Sequence, residues 1–224
     1  MKKRILSVLL AVCLMATALP VLAASETGFP DMPQDYSTAA LETAVANGLL
    51  GGADGLILPD APLTRAQMAA IVVRAFGATA AAPLAGYADV SESAWYYADL
   101  GKAVQMKVLQ GDGANLNPDD SISRQQAFAV LARALKLDEG TPADLAAFSD
   151  SGDVAAWAVG ATAAMVKAGF IQGAGGVLNP TANISRKDFA VMMGNIVKTY
   201  IKTAGVVTET ILKNIRVLAI DQAI

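Results

Sequence analysis

Apolar residues along this chain group into helical segments of two kinds, which alternate three times. The first kind is short and amphipathic, as in the segment with Leu100, Ala103, Val104 and Val108. The second kind is strongly apolar at helical spacing, so one broad stripe of each helix must be buried against a neighbour. Its apolar positions are Met68, Ile71, Val72 and Phe76, then Phe128, Val130, Leu131 and Leu135, then Phe189, Val191, Met192 and Ile196. The pattern predicts an all-α fold in which no single pair of helices buries its surface alone.

Four residue types punctuate these segments at fixed positions. An aromatic residue, a glycine, a proline and an arginine follow one another in steps of 16, 7 and 6 residues in all three copies. The positions are Tyr36, Gly52, Pro59 and Arg65, then Trp95, Gly111, Pro118 and Arg124, then Trp157, Gly173, Pro180 and Arg186. Spacing kept without insertion indicates one supersecondary unit repeated three times, because its internal geometry tolerates no slack.

Each unit is predicted to be a helical hairpin. It has an aromatic-x-Asp opening, a first helix, a glycine-rich loop, a stretch with proline that cannot be helical, and a second helix. The predicted repeats span 27–80, 85–140 and 146–201, separated by joints rich in alanine, proline and glycine. Residues 202–224 are expected to form a short tail, either β-rich or the start of a larger domain.

Capping patterns mark the start of each second helix. Thr or Ser followed three residues later by Gln is the arrangement in which both side chains satisfy exposed backbone N–H groups, and Asp can play the same part. The pairs are Thr64 with Gln67, Ser123 with Gln126, and Ser185 with Asp188.

The first helix of each unit is expected to end at a left-handed residue, which glycine adopts without strain. Gly48 and Gly169 suit that position in the first and third repeats. The second repeat has Lys107 there, so its turn is expected to differ or to cost stability.

The start of the chain has the composition of a secretory signal peptide. Residues 1–23 combine a basic start, an apolar run and a small-residue cleavage site, so the mature protein is expected outside the cytoplasm with no membrane-spanning helix. Cleavage would remove three of 17 basic residues and leave 14 against 20 acidic ones, a net charge of −6. That charge disfavours nucleic acid as a partner, and attraction for an anionic polymer must then come from local clusters of donors.

The arginine at each second-helix start is the main candidate for ligand binding. A cation at the first helical position is unfavourable by roughly 0.3–1 kcal/mol beside the positive end of the helix dipole. An external anion would compensate, held by free backbone N–H groups and two parallel guanidinium donors. The alternative is a structural ion pair between each arginine and a carboxylate of a neighbouring repeat. The arginines are Arg65, Arg124 and Arg186, and the candidate carboxylates include Asp31, Asp89 and Asp150.

The roles of the aromatic residues and glycines near these arginines can also be interpreted in two ways. The aromatic residues begin amphipathic helices and can belong to the core, or they can stand at a groove edge where a flat ring stacks on a sugar face. The loop glycines would let a ligand approach the backbone. The residues concerned are Tyr36, Trp95 and Trp157, and Gly52, Gly111 and Gly173.

Together these motifs resemble the S-layer homology domain family. The order aromatic-x-Asp, Trp, glycine-rich loop, Asn-Pro or Pro-Asp, then [Leu/Ile]-[Thr/Ser]-Arg-x-[Gln/Asp] carries the resemblance from about Phe29 to Ile201. It implies a three-pronged spindle of pseudo-threefold symmetry with a central helix bundle. It also implies non-covalent anchoring of an exported protein to a secondary cell wall polysaccharide, often one with pyruvylated amino sugars. Ligand is expected in grooves between repeats, with the arginine and the hydroxyl residue before it contributing.

Departures from the family motif indicate that the three grooves differ. The motif's glutamate is Gln67, Gln126 and Asp188 here, and Tyr36 stands in place of the first tryptophan. Repeat three has Ala174 where an acidic residue would follow the loop glycine. Repeat two is closest to the motif, and its groove ranks first, with Trp95, Gly111, Asp112 and Arg124.

The sequence therefore favours an exported, non-catalytic wall-binding module at the bacterial cell surface, with no cofactor or metal. An enzyme is disfavoured because the chain has no histidine and its one cysteine, Cys13, lies in the predicted leader. The other possibility is a structural module for protein–protein assembly of a surface layer.

Overall fold

The computed structural model describes residues 28–204, with side chains described for 28–197, and this part of the chain is helical without a strand. Its α-helices are α1 (Thr38–Ala46), α2 (Arg65–Ala75), α3 (Tyr97–Gln105), α4 (Arg124–Ala134), α5 (Val159–Lys167) and α6 (Arg186–Ala204). A short 3-10 helix at Pro142–Leu145 lies in the joint before the third repeat, and two more, Ser151–Asp153 and Ala156–Ala158, lie within that repeat. The all-α prediction is confirmed. The predicted leader and the tail beyond Ala204 lie outside the described residues.

Helices pack mainly against helices of a neighbouring repeat. The second helix α2 packs on α3, α4 packs on α5, and α6 returns to pack on α1. The apolar stripes are buried in these contacts, as shown by Met68, Phe128 and Phe189, which are almost inaccessible to solvent. Each repeat therefore supplies one helix to the interface before it and one to the interface after it, and the series closes on itself. None of the described helices is long and apolar enough to traverse a lipid bilayer.

A ring of backbone hydrogen bonds joins the three repeats at the buried residue just before each capping motif. The N–H of Ile122 donates to the carbonyl of Leu63 at 2.9 Å, and that of Ile184 donates to Ile122 at 3.0 Å. The N–H of Leu63 completes the ring by donating to Ile184 at 2.9 Å. Because each of the three residues both donates and accepts, no repeat occupies an end position in this ring.

The aspartate of each aromatic-x-Asp opening fixes the proline-containing stretch of its own repeat. Its carboxylate accepts two backbone hydrogen bonds from the pair of residues before the proline, at 2.6–3.0 Å. The carboxylates and their donors are Asp31 with Ile57 and Leu58, Asp89 with Leu116 and Asn117, and Asp150 with Leu178 and Asn179. Burial opposes ionisation of Asp150, but the hydrogen bonds from Leu178 and Asn179 outweigh it and lower the pKa of the carboxyl.

The first helices all end in the same left-handed turn. Gly48 and Gly169 adopt φ values of 65° and 75°, as predicted, and Lys107 adopts 59°. The N–H of Lys107 donates to the carbonyl of Val104, and the N–H of Val108 donates to the carbonyl of Ala103. The same two hydrogen bonds form at the ends of α1 and α5. The expectation of a different turn in repeat two is wrong, because the capping hydrogen bonds hold a lysine in the conformation that glycine adopts elsewhere.

Replacement of Lys107 by glycine should stabilise the protein. A residue with a Cβ at positive φ costs the folded state roughly 1–2 kcal/mol, and glycine removes that cost. Glycine also makes the unfolded chain more flexible, which favours unfolding and offsets part of the gain. We therefore expect a net increase of about 0.5–1 kcal/mol in the free energy of unfolding. Urea unfolding measures it. Lys107→Ala is the control, because it removes the ammonium but keeps the Cβ, and it should change the free energy of unfolding little. An equal gain from alanine would trace the effect to the charge and contradict the backbone explanation.

Candidate functional site

The second helices begin with the predicted caps. In α2 the Thr64 hydroxyl accepts from the N–H of Gln67 at 3.2 Å, and the Gln67 side chain accepts from the N–H of Thr64 at 3.1 Å. Ser123 and Gln126 form the same reciprocal pair in α4. At the third helix start the Ser185 hydroxyl accepts from the N–H of Asp188 at 3.1 Å. Two complete capping boxes and the hydroxyl half of the third are confirmed.

The arginine that follows each cap reaches into the next repeat around the ring. Its Nε donates to a backbone carbonyl in the stretch before that repeat's proline, at 2.7–2.8 Å. The pairs are Arg65 with Leu116, Arg124 with Leu178, and Arg186 with Ile57. Nη2 of Arg65 also donates to Gln110, and Nη2 of Arg186 to Gly51. These contacts tie adjacent repeats together through backbone acceptors.

Backbone N–H groups at the same helix starts are already paired. The N–H of Arg65 donates to the carbonyl of Asp120 and that of Ala66 to the carbonyl of Pro118, at 3.0 and 2.9 Å. The same two bonds recur at α4 and α6, where the acceptors include the carbonyls of Pro180 and Pro59. The expectation of free N–H groups awaiting an anion is wrong, because each recurring proline presents its carbonyl to the neighbouring helix.

The alternative of a structural ion pair with a neighbouring repeat is confirmed only for Arg124, which pairs with Asp188 at 3.5 Å, and it is wrong for the opening aspartates. Those carboxylates are held by the backbone of their own repeats, and the arginines bond to carbonyl oxygens instead. Burial lowers the pKa of the Arg186 guanidinium, and the nearby charge of Asp31 opposes the shift. Arginine remains charged in proteins, and Arg186 is only 6% exposed. The hydrogen bonds to backbone carbonyl groups therefore stabilise a buried cation.

The recurring loop glycines have an internal reason to be glycine. A Cβ on Gly52 would lie 2.2 Å from the Phe29 ring, and one on Gly111 would lie 2.0 Å from the carbonyl oxygen of Asn115. At Gly173, with φ at 66°, a Cβ would meet the carbonyl oxygen of Val177 at 2.5 Å. The close approach that these glycines permit is therefore inside their own repeat, to the opposite side of the loop and, for Gly52 and Gly173, to the aromatic ring of the opening. Contact with a ligand stays a prediction for them.

The three recurring aromatic residues project into solvent. Tyr36 is 67% exposed, Trp95 is 62% exposed and Trp157 is 56% exposed. The interpretation that assigns them to the core is wrong, because each precedes its α-helix instead of lying on its buried face: α1 begins at Thr38 and α3 at Tyr97. Exposed aromatic rings at a groove edge are the geometry that stacking on a sugar requires.

A cavity of about 340 Å³ lies beside Trp95, and we call it the first groove. It brings together Trp95 of repeat two, Gln67 and the loop glycines of repeat one, and Arg186 of repeat three. The lining residues are Leu49, Leu50, Gly51, Gly52, Ala53, Gln67, Ala70, Ile71, Arg74, Trp95 and Arg186. Each repeat contributes to this one site.

Residues that the sequence places in one repeat are thus distributed over different grooves. Trp95 lies with Gln67 and Arg186 in the first groove, whereas Arg124 reaches toward the third repeat. By the repeat spacing, the second groove takes Trp157, Gln126 and Arg65, and the third groove takes Tyr36, Asp188 and Arg124. Asp112, also predicted in the site, organises its own loop by accepting from the N–H of Asn115 and the Nδ2 of Asn117.

Arg74 is a lining residue that the sequence analysis missed. It lies near the end of α2, is 47% exposed, and pairs with Asp99 at 3.3 Å across the interface to α3. Its equivalent in repeat two is Arg133, at the same position of α4. The recurrence of a second arginine nine residues after the first was the available signal.

The third groove differs from the first in its contacts. The Tyr36 hydroxyl donates to Oδ1 of Asp188 at 2.7 Å, and Oδ2 of Asp188 lies 3.5 Å from Nη1 of Arg124. Partial desolvation, followed by the hydrogen bond to Asp188, raises the pKa of Tyr36 to about 12, although the side chain as a whole is largely exposed. The ammonium of Lys187 lies 5.8 Å from the Tyr36 ring centre and pairs with Asp60 and Asp35. In the third groove the aromatic residue, the residue at the capping position and the arginine therefore contact one another directly.

A family model described as S-layer homology domain matches three segments of the chain, residues 28–69, 86–128 and 147–190. Each match begins at an aromatic-x-Asp opening and ends within the second helix of a repeat.

Similar proteins include surface-layer proteins and an enzyme. The surface-layer 125 kDa protein of Lysinibacillus sphaericus is 31% identical over 83% of this chain and 16% of its own length. The S-layer protein sap of Bacillus anthracis is 28% identical over 89% of this chain and 25% of its own. The amylopullulanase of Thermoanaerobacterium thermosulfurigenes is 26% identical over 74% of this chain and 9% of its own. The chain thus spans a quarter or less of each of these relatives.

Proposed function

The chain belongs to the S-layer homology domain family, and from that premise we propose that it anchors an exported protein non-covalently to the bacterial cell wall. Membership of this family indicates a location at the cell surface. The proposed ligand is an anionic secondary wall polysaccharide, with a pyruvylated amino sugar as the group bound in the grooves between repeats. The proposed role is non-catalytic.

The first groove is the observation that carries this proposal. Its volume of about 340 Å³ lies within the range of small-ligand sites. The exposed Trp95 ring offers a flat apolar surface for the C–H face of a pyranose. Gln67, Arg74 and Arg186 place polar donors around the same space.

The carboxylate of the proposed ligand would be bound by guanidinium groups that line the groove. Nε and Nη2 of Arg186 are used by the carbonyls of Ile57 and Gly51, and no described residue accepts from its Nη1. Arg74 also lines the groove and is half-exposed, and its weak surface ion pair can yield to a ligand anion at little cost. Charge-assisted hydrogen bonds of this kind supply local attraction despite the excess of acidic residues in the chain.

By the repeat spacing, the second groove is proposed to bind in the same way, with Trp157, Gln126 and Arg65 at the matching positions. The hydroxyl residues Thr64 and Ser123 support these sites by capping the helices that carry Gln67 of the first groove and Gln126 of the second.

Replacement of Trp95 by alanine should weaken binding to isolated cell walls about fivefold to tenfold, because the groove loses its stacking surface. Trp95→Phe keeps an aromatic ring and should lose much less. Cosedimentation of the purified protein with walls gives the affinity, and urea unfolding checks that both variants remain folded.

Walls chemically stripped of their non-peptidoglycan polymer are the second control. Wild-type protein should no longer sediment with them. Retention on stripped walls, or equal binding by Trp95→Ala and wild type, would contradict the sugar-groove proposal and favour a protein or peptidoglycan partner.

A further inference from the structure

The third groove contains an anion supplied by the chain itself. Asp188 is the third residue of α6, and its carboxylate bridges Tyr36 at 2.7 Å and Arg124 at 3.5 Å. These are the positions that Gln67, Trp95 and Arg186 occupy in the first groove. The carboxylate thus lies between the aromatic platform and the arginine, where a ligand carboxylate would have to sit.

The corresponding glutamines point elsewhere. The Gln67 side-chain oxygen accepts from the N–H of Thr64 at 3.1 Å, and that of Gln126 accepts from Ser123 at 2.9 Å. Each amide is thereby held on its own helix start, and it carries no charge. In the first groove the space between Trp95 and Arg186 is the cavity described above.

Several contacts stabilise the closed arrangement of the third groove. Nε of Arg124 donates to Leu178, and its guanidinium carbon lies 5.6 Å from the Phe128 ring centre, so the cation is fixed in place. The Arg124 and Asp188 side chains are 19% and 35% exposed, which shields their ion pair from full solvent screening. The adjacent Lys187 is engaged by Asp60 and Asp35.

We propose that Asp188 is a specificity-determining residue that closes the third groove to anionic ligands. An incoming carboxylate meets like charge, and to reach Arg124 it must displace a carboxylate held at high effective concentration by the chain. The protein then has two competent grooves and one closed groove. This inference rests on the proposed function for the identity of the ligand, and on the contacts alone for the closure.

The ligand-binding test counts sites with the methyl glycoside of a pyruvylated amino sugar by isothermal titration calorimetry. Asp188→Gln combined with Tyr36→Trp gives the third groove the residues of the first, and the number of sites per chain should rise from two to three. The reciprocal variant, Gln126→Asp combined with Trp157→Tyr, should lower the number to one. Equal site numbers in wild type and the Asp188 variant would overturn the proposal.

A second measurement needs no ligand. A double-mutant cycle of Tyr36→Phe and Asp188→Asn in urea unfolding should show coupling of about threefold or more in the unfolding equilibrium constant. Additive effects would overturn the closure whatever the ligand. If coupling is present and neither wild type nor variants bind the glycoside, the closure stands and the proposed ligand fails.

Discussion

A chain cut after Gly140, which lacks the third repeat, should not fold cooperatively. Helix α1 would lose α6, against which it packs, and the carbonyl of Ile122 would lose its donor, the N–H of Ile184. The Arg124 guanidinium would lose the carbonyl of Leu178. Stability is a small difference between large opposing terms, roughly 5–15 kcal/mol for a domain, and we expect the loss of two interfaces to exceed it.

This expectation separates a closed ring from a linear repeat array. In a linear array each repeat contacts only its neighbours, so removal of a terminal repeat costs one interface and leaves the others folded. Here α6 also packs on α1, so removal of the third repeat breaks the interface with α5 and the one with α1 together. The same loss is expected for removal of the first repeat.

Urea unfolding followed by far-ultraviolet circular dichroism measures the outcome. The full chain should give one sharp transition, whereas the fragment should lose its helical signal gradually. As a control, a separate chain of residues 141–204 added to the fragment should restore a cooperative transition, because it supplies the missing partners. A sharp transition in the fragment alone, with about two thirds of the wild-type dependence on urea, would indicate independent repeats.

Local features of the fold could be predicted from the sequence because their causes are local. The capping pairs Thr64–Gln67 and Ser123–Gln126 lie within one helical turn. A hydroxyl residue followed three residues later by an amide is typical of a helix N-terminus, so the sequence alone identifies them. The left-handed ends at Gly48 and Gly169 follow from the missing Cβ. Fixed spacing between recurrent residues revealed the repeat itself.

Partners distant in sequence could not be predicted in the same way. A buried stripe shows that a helix face is covered, but not that α6 is covered by α1, some 140 residues earlier. The acceptors of Arg186 are backbone carbonyls of Ile57 and Gly51, and a carbonyl has no residue type by which a pattern could identify it. The sequence therefore indicates that the arginine at the helix start has a compensating partner, and it favours an external anion for that role. In the fold, backbone carbonyl groups of another repeat are the partners instead.

The same arginines connect stability with the proposed site. Arg186 fixes the loop that forms one wall of the first groove, by bonding to Ile57 and Gly51, and it also lines the groove. A ligand that bonds to Nη1 would thus bind a guanidinium whose position the repeat interface already sets. Such preorganisation reduces the entropy lost on binding, which favours affinity at a surface with little net attraction.

Arg186→Met should therefore cost about 2–4 kcal/mol of stability before any ligand is considered. The substitution removes a buried guanidinium and leaves the carbonyls of Ile57 and Gly51 without their donors, each loss being worth roughly 1–3 kcal/mol where water cannot replace it. Lysine would not substitute well, because one ammonium cannot reproduce the two separate donors of the guanidinium fork.

The matched control is Arg74→Met, in the same groove but half-exposed, with a surface ion pair to Asp99. It should change stability by less than about 1 kcal/mol. Urea unfolding measures both variants, and wall cosedimentation under conditions where each is fully folded measures binding. We expect Arg74→Met to weaken binding at nearly unchanged stability, and Arg186→Met to lower both. If Arg186→Met lost wall binding with its stability intact, the arginine would act through the ligand alone, as the helix-dipole argument from the sequence predicts, and the interface role would be wrong.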